Sequence, residues 1–207
     1  MLLGYRESKR LLAEAGIELV EARECGSLAA LRTAYAHLAK PLVLKGLGSA
    51  HKTEKNMIHL GITSLVELGV AYAKLKNCAG CAPSSFLLQE QKRGVEFIIG
   101  GHRDPVFGPV IIFGTGGVLT ELYGDVAMRV APLSRRDAME LIRETRASAF
   151  FKPGGFREKK ANERVIVDLL LKSSRFLVEE NGVSEFDFNP VIADEEKAFI
   201  VDARLLT

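Results

Sequence analysis

Several scarcities bound what this chain can be. It has only 3 cysteines in 207 residues, too few for a disulfide framework. Cys25 stands alone. Cys78-Ala79-Gly80-Cys81 has the spacing of a redox pair or half a zinc site. No second Cys/His pair lies nearby to complete four ligands, so both are read as surface-loop thiols. His37, His59 and His102 lack ligand spacing, which argues against a histidine metal centre. An excess of either charge is also missing, with 28 Lys+Arg against 26 Asp+Glu. Without a basic excess or stripe, nucleic acid is not an expected partner. The longest apolar stretches, such as 109–113, fall far short of the roughly 20 residues that cross a bilayer. Arg6, Glu7, Lys9 and Arg10 interrupt any apolar core of a signal peptide. A cytoplasmic protein with no membrane association is expected.

What is present reads as α+β. The composition, 47% apolar and 26% charged, is that of a globular protein. Leu11, Leu12 and Ala15 share one side of a helix over 8–15, closed by Gly16. Ser27 caps a second helix. Strands follow at 42–46 and 58–62, then a capping box, Ser64 to Glu67, that starts a third helix. The pattern breaks at 77–85, which suggests a linker. Two domains are therefore expected, a smaller lobe over 1–84 and a larger antiparallel lobe over 85–207. In the larger lobe, strands are read at 86–91, 95–99, 110–113, 119–123 and 126–131, and helices at 134–147 and 162–181. Gly182 is expected to close the last helix. Strands at 184–188 and 198–203 form a pair joined by the charged turn 194–197.

Some residues sit oddly in these elements. Lys45 ends the apolar run Leu42-Val43-Leu44. It either keeps its head in water at a sheet edge, the simpler reading, or offers a point charge to phosphate oxygens. The polar segment 49–56 supplies backbone N–H groups and hydroxyls suited to an anion, with His51 a potential nucleophile or a merely solvated residue. Glu90, Glu96 and Glu121 interrupt apolar strands. They stand either on a wet sheet face or as cleft carboxylates. Gly114-Thr115-Gly116-Gly117 brings backbone close to a neighbour, through a turn or to a phosphate. If the last two strands pair through 194–197, Asn189 and Asp202 face each other, two hard oxygen donors suited to Mg²⁺.

Eight of the 19 glycines fall between Gly94 and Gly124. The stretch from Gly94 to Pro132 contains Gly94-Val95-Glu96-Phe97, Arg103-Asp104-Pro105, Phe113-Gly114-Thr115-Gly116-Gly117, Glu121, Asp125, Arg129 and Pro132. With Lys45, His51-Lys52-Thr53-Glu54 and Glu185-Phe186-Asp187-Phe188-Asn189-Pro190, the order resembles the ATP-grasp β subunit of ADP-forming acyl-CoA synthetases (acetate–CoA ligases). The resemblance covers nearly the whole chain. It implies an ATP-grasp fold of two α+β lobes enclosing a nucleotide cleft, with ATP/ADP and Mg²⁺ as cofactors. It implies phosphate contact by Lys45 and a glycine loop with Gly116 and Gly117. Adenine and ribose contacts would come from Gln89 and Glu90, a nucleotide-site carboxylate from Glu96, and Mg²⁺ ligands from Asn189 and Asp202. His51 matches a phosphate-receiving histidine.

The implied activity interconverts acyl-CoA, ADP and phosphate with acid, CoA and ATP. The partner is a CoA-binding α subunit, with a heterotetramer as a plausible assembly. Two positions depart from the family pattern. Asn56-Met57 stand where a glycine pair is usual, and Arg157-Glu158 where an Arg-Gly pair is usual. A non-catalytic docking or regulatory subunit and a carboxylate–amine ligase are the alternatives weighed.

Overall fold

The computed structural model describes residues 1–48, 57–78, 83–116, 124–157 and 159–207. In chain order the elements are α1 (Tyr5–Glu14), β1 (Ala22–Cys25), α2 (Leu28–His37), β2 (Leu42–Leu47), β3 (Ile58–Ile62), α3 (Leu65–Lys76) and β4 (Ser85–Glu90). There follow β5 (Val95–Asp104), β6 (Gly108–Thr115), β7 (Val126–Val130), α4 (Arg135–Arg143), a 3-10 helix (Arg146–Phe151), α5 (Glu163–Glu179), β8 (Glu185–Ala193), β9 (Ala198–Ile200) and β10 (Ala203–Leu206). The expected strand at 119–123 lies outside the described residues.

Short polar side chains start the helices. Ser27 accepts from Ala30 N ahead of α2. Ser64 and Glu67 form the full capping box of α3, and Ser134 with Asp137 does the same for α4. Each box satisfies N–H groups that a helix start leaves orphaned. The Glu67 carboxyl is held below its ordinary pKa, first by the Thr63 N–H and then by the Thr63 hydroxyl and Ser64. Gly16, at φ 69, closes α1 in the left-handed region that glycine adopts freely.

Two compact units result, Val20–Gln91 and Met1–Leu19 with Lys92–Thr207. These limits differ from a division at 84/85, for reasons that lie in the pairing. β4 is an inner strand of the smaller sheet, whose order is β1-β4-β2-β3, all antiparallel. Its core, including Leu31, Leu44, Leu68, Phe86 and Leu88, is covered by α2 and α3. Cys25 is buried there, which pushes its thiol pKa up, with Glu24 adding to the effect. Cys25 is not in a disulfide, and Cys81 lies outside the described residues. α1 belongs instead to the larger unit. Leu12 and Ile17 enter the larger core, Leu3 N donates to Leu205 O at 2.9 Å, and Lys172 Nζ donates to Gly16 O at 2.9 Å.

The larger unit is a six-stranded antiparallel sheet in the order β10-β8-β5-β6-β7, with β9 also on β8. α4 and α5 pack on one face, where Phe97, Phe113, Leu141, Leu170, Phe186 and Phe188 are buried. Where one helix over 134–147 is expected, α4 ends at Arg143 and a 3-10 helix begins at Arg146. The cause is local. Asp125 accepts from Arg146 N with both oxygens, at 3.0 and 3.1 Å, and starts a new helical register. α5 likewise ends without help from Gly182, which is not left-handed. Its carbonyls are taken by Arg103 from β5, whose guanidinium donates to Leu177 O at 2.6 Å, Glu180 O at 3.1 Å and Val183 O at 3.0 Å. A cation at a helix C-terminus also complements the dipole. Asp104 completes this corner by accepting from Phe107 N and Val106 N, which hold its carboxyl below the ordinary range.

Two outcomes are expected. Arg103→Met keeps the aliphatic stem but removes the donor to Leu177 O and Val183 O, while Glu180 O keeps the Val183 N–H, and should cost about 2 kcal/mol in urea unfolding. An unchanged midpoint would mean that water replaces the guanidinium. Glu67, with a folded pKa below its unfolded one, contributes stability that is fully present above the unfolded pKa and lost as pH falls through the folded one. The difference in melting temperature between the wild type and Glu67→Gln should therefore be largest above about pH 5 and close on acidification.

Candidate functional site

In the smaller unit, antiparallel pairing sorts side chains by face. Leu42, Leu44, Phe86 and Leu88 point to the helices. Lys45 lies opposite Leu87, and Val43 opposite Gln89, so Lys45 and Gln89 share the other face. Two residues of strand separate their rows, about 7 Å. Both are buried, Lys45 at 9% and Gln89 at 2% relative exposure. Glu90 is not with them. It pairs with Leu42, on the helix side, and its Oε1 accepts from Ala39 N at 2.9 Å beyond the end of α2. The carboxylate is neither on a wet face nor beside Lys45.

Next to Lys45, Gly46 leaves room for the end of the Met57 side chain. A Cβ there would lie 2.3 Å from Met57 Cε and 3.1 Å from Pro83 Cβ. Met57, at one of the two positions where the family pattern has glycine, is buried against this strand. His51 lies outside the described residues, as do Gly117 and Glu121.

In the larger unit the decisive feature is a bulge in β8. Phe97 pairs with Val191, but Ile99 pairs with Phe188, so Asn189 and Pro190 together oppose Ile98 alone. Such a bulge redirects side chains. Phe186 and Phe188 enter the core before it, Val191 and Ala193 after it, and Asn189 is exposed between them. The expected hairpin forms. Val191 pairs with Ile200 and Phe188 with Ala203, which sets Asn189 directly opposite Asp202. Asn189 N donates to Asp202 O at 3.2 Å and Val201 N to Pro190 O at 3.1 Å.

Glu96 is also exposed, facing away from the core one row pair beyond Ile98, about 7 Å along the sheet. Gly116 closes the group, its N–H donating to Glu96 O at 2.8 Å. Among the described residues there is no cluster of three or more His, Cys, Asp or Glu. Asn189 and Asp202 therefore fit Mg²⁺, a hard cation that keeps most of its shell as water and phosphate oxygen, and not a metal caged by protein ligands alone.

Three residues of the glycine-rich segment have tasks the sequence does not declare. Arg103 holds α5, Arg129 donates to Glu144 and to Met128 O, and Asp125 joins Thr115 to the 3-10 helix. Arg129 lowers the Glu144 pKa, and Glu144 raises that of Arg129, at a largely exposed pair worth little to stability. The only advance signal for these contacts is that charged residues sit at strand ends.

The ATP-grasp domain pattern matches residues 1–206, and the chain belongs to the ATP-grasp family. Acetate–CoA ligase (ADP-forming) II of Archaeoglobus fulgidus is 34% identical over 208 residues, covering 100% of this chain but 30% of that protein. The β subunit of acetate–CoA ligase (ADP-forming) I of Pyrococcus furiosus is 30% identical, covering 97% of this chain and 89% of that subunit. The chain thus spans under a third of the first relative and most of the second.

The dinucleotide-forming acetyl-coenzyme A synthetase 1 of Ca. Korarchaeum cryptofilum, in complex with coenzyme A and Ca-AMPCP, superposes with a TM-score of 0.87. Identity is 33%, covering 99% of this chain and 93% of that one. In a second complex of that synthetase, with Mg-AMPPCP (TM-score 0.81), a phosphohistidine segment points towards the nucleotide binding site.

A Cβ at Gly116 would stand 2.8 Å from backbone atoms of Glu96 and Phe97. Gly116→Ala must push β5 and β6 apart and should destabilise the chain by about 2 kcal/mol. Gly69, inside α3 with nothing within 4 Å of its would-be Cβ, should gain about 0.5–1 kcal/mol as alanine. Thermal melts of the two variants should move in opposite directions; equal behaviour would contradict the close approach at Gly116.

Proposed function

We propose that this chain is the nucleotide-binding β subunit of an ADP-forming acyl-CoA synthetase. It would act in the cytoplasm with a CoA-binding α partner, interconverting acyl-CoA, ADP and phosphate with acid, CoA and ATP. The observation that carries the reading is the Asn189–Asp202 pair set out by the β8 bulge in a chain that overlaps almost all of a separate β subunit. Lys45 supplies a fixed positive charge to nucleotide phosphates, and Gln89, on the same strand face, supplies an amide for the base. Glu96 would supply a nucleotide-site carboxylate, and Gly116 and Gly117 would let backbone approach phosphate.

Mg²⁺, held by Asn189 and Asp202, would neutralise charge on the phosphate oxygens. His51 is the proposed phosphoryl acceptor; its covalent phosphate divides one exchange into two steps at separate places. Glu90 is retained as a candidate ribose contact, which requires it to leave Ala39 N.

A second reading has one observation in its favour. Met57 fills space against Gly46, beside Lys45, where the family pattern has small residues. On that reading the chain is a docking or regulatory subunit.

Purified chain should be mixed with its α partner, acyl-CoA, ADP, phosphate and Mg²⁺. ATP should form only when both chains are present and should be abolished by His51→Ala. ATP formation by the chain alone would defeat the division of labour. No turnover and no ADP binding with the partner present would favour the docking subunit.

A further inference from the structure

Thr115 and Asp125 meet at the end of β6, beside the glycine segment. Thr115 Oγ1 donates to Asp125 Oδ2 at 2.9 Å. The same carboxylate accepts from Arg146 N, at 3.0 Å through Oδ1 and 3.1 Å through Oδ2. One half-buried side chain thus joins the last rung of β6, the start of β7 and the first residue of the 3-10 helix. The backbone is drawn in as well. A Cβ at Gly114 would lie 2.2 Å from Asp125 O, so only glycine permits this approach.

The 3-10 helix returns to the same place, because its Phe151 stacks on Phe97 at 5.2 Å and Phe150 meets Phe97 edge-on at 6.3 Å. Phe97 follows Glu96, the residue whose carbonyl accepts from Gly116 N at 2.8 Å. Gly116 is therefore fixed from two sides. Its own N–H is tied to β5, and the residue before it is tied through a hydroxyl to Asp125.

We propose that Asp125, acting through the Thr115 hydroxyl, is the positioning residue that sets how Gly116 is presented to nucleotide phosphate. This rests on the reading of the chain as a nucleotide-binding subunit and adds a residue to it. Neither Thr115 nor Asp125 need touch the ligand. The apolar contacts of Phe97 and Phe113, stacked at 5.7 Å, already hold β5 to β6. The Thr115–Asp125 bond adds direction at the strand end, where the sheet no longer constrains the chain. A charge-assisted hydrogen bond is suited to that task because its geometry is narrow.

Thr115→Val removes the hydroxyl and keeps the shape. ADP binding in Mg²⁺ should be measured by calorimetry on the whole chain with its partner, for wild type, Thr115→Val and Thr115→Ser. Thr115→Val should weaken ADP about tenfold, with a melting temperature within about 2 °C of wild type. Thr115→Ser, which restores the donor, should bind close to the wild-type level. Undiminished binding by Thr115→Val overturns the proposal, as does a loss of binding that comes with a lower melting temperature, since the bond would then serve only the fold. If wild type itself binds no ADP, the nucleotide reading fails and this inference falls with it, a result distinct from a normal wild type with a normal Thr115→Val.

Discussion

The bulge at Asn189–Pro190 is the constraint on which the polar side of the larger unit depends. A strand packed against helices must alternate, so Phe186 and Phe188 in the core turn Asn189 outwards, and a regular β8 would turn Val191 and Ala193 outwards with it. The extra residue opposite Ile98 changes that parity. Phe186 and Phe188 are buried on one side of it and Val191 and Ala193 on the other. The asparagine between them turns out, opposite Asp202, because β9 and β10 keep one register along β8. The bulge thus returns Val191 and Ala193 to the core while the Asn189 amide stays outside it and escapes the desolvation cost of burial without partners.

The smaller unit handles its polar groups differently. Its sheet buries both faces, apolar towards α2 and α3, mixed on the side of Lys45 and Gln89. A buried lysine is tolerated only with compensating groups, and such positions concentrate where function needs a fixed charge. Gly46 and Met57 pack immediately beside it. In each unit polar residues stand within apolar strand runs, Lys45 and Gln89 in the smaller and Glu96 and Asn189 in the larger.

Much of the fold is legible in the sequence wherever a local rule decides. Ser64 with Glu67 and Ser134 with Asp137 form the capping boxes their spacing announces. The turn over 194–197 is closed by Asp194, whose Oδ1 accepts from Glu196 N and Lys197 N, and this sets the register of Asn189 and Asp202. What is not legible depends on distant partners. Gly182 looks like a helix stop, yet Arg103, some 77 positions away in the chain from Glu180, does the work. Glu90 stands out in its apolar strand, yet nothing in the sequence shows that a backbone N–H at Ala39 donates to it. The break between α4 and the 3-10 helix depends on Asp125, which no helical periodicity reveals. α1, first in sequence, joins the unit that holds the last strand, because Leu3 and Leu205 share a backbone bond.

We propose that Lys45 and the Asn189–Asp202 pair each serve the binding of a magnesium nucleotide, the first through phosphate charge and the second through the metal. The most direct test is ADP affinity with and without Mg²⁺ for Lys45→Met and Asp202→Asn. Lys45→Met should weaken ADP by about tenfold or more in both conditions. Asp202→Asn should erase the gain in affinity that Mg²⁺ gives, leaving metal-free binding unchanged. A full Mg²⁺ gain in Asp202→Asn would contradict the account.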